Sequence, residues 1–505
     1  MPPVVIENPI INSPFEEPTK HFRFDDANNI TADVVAGRRS SSYFMPIAAP
    51  KKKGKQQTID FGIEDEKKTE TEHVNKIREQ VKAWRNLGWP ETTPATLALL
   101  RHWGNPQRER RLFFCQIEAL ETLIFVTEVA KHTKYGHTWI EEHLKKAAAD
   151  AGTDLFRMAF KMATGSGKTV VMSMLIAWQV LNKRRNPHDP RFADAFLVVA
   201  PGITIRDRLR VLRPADDENY YRKLDIVPRE LLPELGAAKI VVTNFHAFKP
   251  REKGDAGGLT KRVLTANTPG AFTESADEIM RRVVRELGTT RELLVINDEA
   301  HHCYRSRPSQ EGEENLKGED KKEADEREEE ARLWLTGLEA VNRSVGVKAV
   351  YDLSATPFYL KGSGYPEGTL FPWVVSDFAL IDAIESGIVK IPRVPVADNA
   401  MTGEFPKYRN LWVHIRDSLP KKNVALPPSA PLPPLPADLQ GARKPLRPLQ
   451  AAVRRVGAEP RGRRNAAGVH RGVQQHRGQQ DAVRVHRGPR DREPARRRRA
   501  GREAG

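Results

Sequence analysis

MATGSGKT, residues 162 to 169, stands directly after the apolar run DLFRMAFKM and directly before the amphipathic stretch GKTVVMSMLIAWQVLNKR. The first run reads as a buried strand and the second as a helix. A glycine-rich turn between a buried strand and a helix N-terminus is the setting that a phosphate-binding loop requires. Gly165 and Gly167 let the backbone bend close to an anionic ligand, and the amides at the start of the helix point towards it. In this reading Thr164, Gly165, Ser166 and Gly167 form the cradle, Lys168 reaches the outer phosphates of a nucleotide, and the Thr169 hydroxyl ligates magnesium. The strict pattern asks for glycine at the first position, where this chain has Met162.

Working outward, AFLVVAP, KIVVTNF, ELLVIND and VKAVYDLSA read as further short apolar strands, and RLFFCQIEALETLIFVTEVAKH as a helix. Buried strands separated by helical stretches predict a parallel sheet covered on both faces, hence an α/β domain from about Pro106 to Pro395. The segment SQEGEENLKGEDKKEADEREEEA, 309 to 331, is too charged for a core and is expected as a surface loop or helix. Residues 1–105 mix proline, asparagine and charge, with KKKGK at 51 to 55 and a helical-looking stretch from Glu64 to Leu87. They are expected to form a poorly ordered accessory region. Residues 396–440 read as a linker leading into a second domain, and 441–505 as a disordered arginine-rich tail.

A nucleotide held by such a loop needs a carboxylate for magnesium and another for the attacking water, at the end of a neighbouring strand. LLVINDEAHH supplies both: Asp298 is expected to hold the metal, and Glu299 to orient and deprotonate the water.

DEAH at 298 to 301, the loop ATGSGKT and SAT at 354 to 356 together resemble superfamily 2 helicases and translocases, which carry these motifs in this order. Gln116 in FFCQIEA resembles the adenine-reading glutamine of those proteins. VVAPG, with Pro201 and Gly202, and VTNFHAF, with Thr243 and Asn244, resemble their strand-contacting motifs. VINDEAHHCYR taken with YDLSATPFYLKGSGYPEGTLFPWVVSDFALIDAIESGIVKIPRVPV is similar to the Res subunit of type III restriction enzymes, over about 106 to 395. The resemblance implies a RecA-like P-loop NTPase domain using ATP and Mg2+, with His301, Ser354 and Thr356 coupling hydrolysis to movement on DNA. It implies DNA and a methyltransferase (modification) subunit as partners. It also implies a second RecA-like domain with an arginine finger and a downstream nuclease, neither legible beyond VALPPSAPLPPLPADLQ. His246 has no motif role and is expected as an ordinary histidine.

Composition sets the remaining bounds. No apolar run approaches the roughly 20 residues of a spanning helix, and the acidic N-terminus lacks a signal-peptide layout, so a cytoplasmic protein with no membrane contact is expected. Cys115 and Cys303 are far apart and outside any CxxC spacing, which predicts two reduced, partly buried thiols and no zinc site, even though His301 and His302 precede Cys303. The net charge of +16 is concentrated: residues 441–505 hold 19 basic against 5 acidic residues, or +14, which leaves +2 for the rest.

That tail contains no phenylalanine, tyrosine, tryptophan, isoleucine, methionine, serine, threonine or cysteine, and so no large aromatic ring with which to stack on bases. Its stretch GVHRGVQQHRGQQDAVRVHRG, read one base later, is compatible with FIVVCNNTAASKTLFEFI, a strand, turn and helix resembling the start of the family's second RecA-like domain. The expectation is a frameshift between about Leu419 and Gly441, which resequencing from about codon 410 onward tests. Two rival readings of the chain are a stand-alone helicase-like ATPase of DNA repair or RNA metabolism, and a non-enzymatic nucleic-acid binder acting through the basic tail.

Overall fold

A computed structural model of the chain describes residues 6, 8–25, 30–46, 66–132, 137–251, 274–287, 290–307, 319–360 and 363–390. In chain order, β1 (Lys20–Phe24) pairs antiparallel with β2 (Ile30–Ala36), and β3 (Ser42–Pro46) with β4 (Glu66–Glu70). Helices α1 (Glu72–Asn86), α2 (Pro94–Trp103), α3 (Phe114–Ile124) and α4 (Trp139–Asp150) follow. Then come β5 (Arg157–Met162), α5 (Lys168–Arg185), β6 (Ala195–Ala200), α6 (Ile203–Arg208), α7 (Tyr220–Lys223) and β7 (Lys239–Asn244). The last elements are α8 (Ala276–Val283), β8 (Leu293–Asp298), α9 (Glu319–Val345), β9 (Val347–Ser354), β10 (Val374–Phe378) and α10 (Leu380–Glu385).

Strands β5 to β10 form one six-stranded sheet in the order β10-β5-β9-β8-β6-β7, every pairing parallel. Side chains alternate across it into two cores. Phe196, Val198, Leu294, Ile296, Ala349 and Leu353 face the core built with α3 and α5, while Ala195, Leu197, Val199, Leu293, Val295 and Val350 face the core built with α8 and α9. Strands buried on both faces read as mostly apolar runs, which is why the five strands from β5 to β9 were visible as such in the sequence. The arrangement is the α/β fold of a RecA-like nucleotide-binding domain, as the sequence predicts.

Three features differ from the sequence expectations. The helix expected from Glu64 begins only at Glu72, because Glu66–Glu70 is drawn into pairing with Ser42–Pro46. The N-terminal region divides: KKKGK and its neighbours lie outside the described residues, whereas α1 and α2 are core. Val74, Ile77, Val81 and Trp84 of α1 and Leu99, Leu100 and Trp103 of α2 are buried in the same cluster as β5 and α5, so packing shows no boundary at residue 106. The edge strand β10 was not anticipated at all. Residues 391–505, including the linker, the basic tail and the place of the expected frameshift, lie outside the described residues.

The charged segment is helical where it is described. Ala324 and Ala331 turn inward, and the buried Trp334, Leu335, Leu338 and Val341 anchor the rest of α9. Both cysteines are free and fully buried rather than partly so. No described helix is long and apolar enough to cross a membrane.

Candidate functional site

The loop between β5 and α5 takes its shape from two glycines. Gly165 has φ +87° and Gly167, which caps α5, has φ +92°, both in the left-handed region that side chains avoid. At Gly167 a Cβ would also run into the side-chain amide of Gln116. The buried Ser166 closes the turn, its hydroxyl donating to the Ala163 carbonyl at 2.7 Å. Thr164 and Gly165 are exposed at the rim, and Lys168 and Thr169 are half-buried at the start of α5. Met162, at the position where the strict pattern has glycine, is the last residue of β5 and buried in the core, an extended position that needs no glycine.

Gln116, in the first turn of α3, is bound to this loop. Its Nε2 donates to the Ser166 carbonyl at 2.9 Å and its Oε1 accepts from the Phe113 amide at 3.0 Å. A primary amide has two N–H groups and two lone pairs, so one donor and one acceptor remain for a ligand.

Across the loop stands the end of β8. Lys168 Nζ lies 2.9 Å from Glu299 Oε1. Glu299 has φ +52°, a left-handed conformation that costs a non-glycine residue about 1–3 kcal/mol and is found where the surroundings enforce it. Asp298 is 7% exposed, and its Oδ1 has no hydrogen-bond partner among the described residues. Burial, reinforced by the Glu299 carboxylate, pushes its pKa up to about 6 against the pull of Lys168 and Arg208. A buried carboxylate oxygen without a hydrogen-bond partner among the described residues fits magnesium, which takes one or two protein oxygens and fills its remaining sites with phosphate and water. No group of three or more His, Cys, Asp or Glu side chains able to hold a metal occurs among the described residues.

His301 Nδ1 is 2.9 Å from Ser354 Oγ and 3.6 Å from Glu299 Oε2. Burial and the neighbouring His302 push its pKa down to about 3, so the ring is neutral near pH 7. Ser354 Oγ also accepts from the Thr356 amide at 3.1 Å. The predicted residues Gln116, 164 to 169, 298, 299, 301, 354 and 356 are therefore brought to one edge of the sheet, the carboxyl edge where α/β proteins bind ligands. Pro201 and Gly202 follow β6 on that same edge, and Thr243 and Asn244 end β7, with Ala200 paired to Asn244. His246 is exposed and stacks on Phe245 at 4.1 Å. Arg208 of α6, whose charge reaches Asp298, was missed; the only signal was a basic residue in the first helix after VVAPG.

Residues 111–358 match the family model described as type III restriction enzyme, res subunit. No curated protein matches the chain. The matched span runs from just before Gln116 to just past Thr356 and so contains every predicted site residue. Over residues 111–358 the chain is thus similar to the res subunit of type III restriction enzymes, a match that supports a helicase-like ATPase domain of that family.

Proposed function

We propose that the domain binds Mg2+-ATP at the loop 163–169 and hydrolyses it as the motor of a type III restriction enzyme, moving on DNA with a methyltransferase subunit as partner in the cytoplasm. The observation that carries the reading is the convergence of Lys168, Asp298 and Glu299, with a buried Asp298 oxygen that has no hydrogen-bond partner among the described residues.

In this reading the loop amides and Lys168 hold the phosphates, and Thr169 and Asp298 hold magnesium, which supplies charge neutralisation when bound. Glu299 takes the proton of the attacking water once Lys168 has left it. The spare donor and acceptor of Gln116 match the N7 acceptor and N6 donor of adenine. His301, hydrogen-bonded to Ser354, joins the hydrolytic turn to the end of β9 and thereby to the Thr356 region. Pro201, Gly202, Thr243 and Asn244, on the same edge, contact the DNA strand.

The test is Mg2+-dependent binding of a fluorescent ATP analogue to the full chain and to Lys168→Ala. Loss of binding in the variant supports the site; undiminished binding refutes it. A gene for an adenine methyltransferase beside the coding sequence supports the restriction role, and its absence points to a stand-alone motor.

A further inference from the structure

Further down the strands from the site lies a charged network that hydrolysis as proposed above does not use. Arg157 of β5 and Asp352 of β9 are 1% and 0% exposed, and the Arg157 Nη2 to Asp352 Oδ2 distance is 2.7 Å. The same carboxylate accepts from Arg157 Nε at 2.8 Å, from Trp373 Nε1 at 2.9 Å and, through Oδ1, from Asn297 Nδ2 at 2.8 Å. Asn297 Oδ1 in turn accepts from Trp334 Nε1 at 3.2 Å. The Arg157 guanidinium lies over the Trp373 ring and gives its Nη2 proton also to the Cys303 carbonyl at 2.8 Å.

An ion pair buried this completely is a poor source of stability, since an apolar pair of the same volume would serve as well or better. What it offers instead is direction. Asn297 immediately precedes Asp298, Cys303 closes the turn that carries Glu299 and His301, and Asp352 lies two residues before Ser354. One carboxylate and one guanidinium therefore tie the entry of the hydrolytic turn, its exit and the β9 partner of His301 to β5, the strand that delivers the phosphate loop. Side chains alternate across a strand, so Asn297 points into the network while Asp298 points away from it towards the site.

We infer that Asp352 and Arg157, acting through Asn297 and the Cys303 carbonyl, are positioning residues that hold Glu299 and His301 in register with the phosphate loop. This rests on the hydrolytic reading of the site. Misplacement of a reacting group by about 1 Å costs on the order of 100-fold in rate while leaving ligand binding intact.

The experiment compares wild type, Asp352→Asn and Asn297→Ser, the last leaving the Arg157–Asp352 pair whole in case the first fails to fold. Turnover, ATP-analogue affinity and the 15N resonances of the His301 ring are measured on each. The expected result is a turnover loss on the order of 100-fold, unchanged analogue affinity and a displaced His301 resonance. A folded variant with unchanged turnover and an unmoved His301 signal overturns the inference, and so does a parallel loss of affinity and turnover, the mark of general destabilisation. Absence of turnover in wild type is the failure of the hydrolytic reading, and the His301 signal then decides the positioning role alone.

Discussion

His301 and Ser354 are joined by a 2.9 Å hydrogen bond between Nδ1 and Oγ, the contact that carries the turn after β8 onto the end of β9. Ser354→Ala removes it without touching Lys168, Asp298 or Glu299. Basal ATP hydrolysis should survive, and its stimulation by DNA should be lost. Steady-state ATPase assays with and without DNA check this, and equal stimulation in both proteins refutes the link.

Lys168 is held by Glu299 at 2.9 Å with both side chains partly exposed, so it has to leave that partner to reach a phosphate. Glu299→Gln frees it. Nucleotide affinity should rise by up to about fivefold, the worth of a partly exposed pair, roughly 0 to 1 kcal/mol. Turnover should fall by about 10² to 10⁴, as expected when a general base is removed. Titration with a fluorescent analogue and single-turnover hydrolysis separate the two effects.

The raised pKa of Asp298, about 6, has consequences of opposite sign for function and for stability. Below about pH 6 the carboxyl is protonated, and Mg2+ affinity should fall roughly tenfold per pH unit. In the unfolded chain the same group ionises near its ordinary value, so folding favours its neutral form. The resulting destabilisation is fully present above about pH 6 and is relieved as pH falls towards 4. Asp298→Asn should therefore be more stable than wild type at pH 7 by on the order of 1–3 kcal/mol, and melt higher, while losing Mg2+-dependent binding. A lower melting temperature would contradict the argument.

Arg38 holds Glu118 of α3 in a two-pronged contact, at 2.5 and 2.6 Å. Burial by itself would raise the Glu118 pKa, but Arg38, helped by Arg78 and Arg85, overrides it and holds the group at about 2. Arg38→Ala strands a buried carboxylate and should cost about 3–5 kcal/mol. Because the native pKa is depressed, this stability is present at neutral pH and is lost as pH falls from the ordinary carboxylate range towards 2. Urea unfolding at pH 7 and pH 3 measures both the size and the sign.

The strands from β5 to β9, helix α5 and the order of the site residues were legible in the sequence, because double-faced burial leaves apolar runs and a phosphate loop leaves a spaced glycine pattern. The N-terminal contribution was hidden for a physical reason. Arg38, Arg39, Arg78 and Arg85 read as surface charge, yet each is paired with a carboxylate or carbonyl of α3, β10 or α10. Sequence shows a charge but not its partner. Strand β10 was missed because VVSDF is short and pairs with β5 more than two hundred residues earlier. Its Asp377 looks like a loop residue until Lys161 at 3.1 Å and Ser41 at 2.7 Å are seen beside it. The strained backbone at Glu299 and the Lys168–Glu299 pairing were likewise beyond sequence, since both are properties of the assembled sheet.

The segment before β3 crosses to the far end of the described fold: the Phe22 amide donates to Glu385 Oε1, the Ile11 and Asn12 amides donate to the Glu385 carbonyl, and Arg39 pairs with the Glu385 carboxylate. Phe22 and Glu385 are 363 residues apart. At roughly 5–20 residues per second, a ribosome takes on the order of 20–70 s to bring the second within reach of the first. For that interval β1, β2 and the buried arginine side chains have no partner at α10. A segment made well before α10 is among the last to dock, so the emerging polypeptide has to keep β1 and β2 from aggregating while the sheet is built.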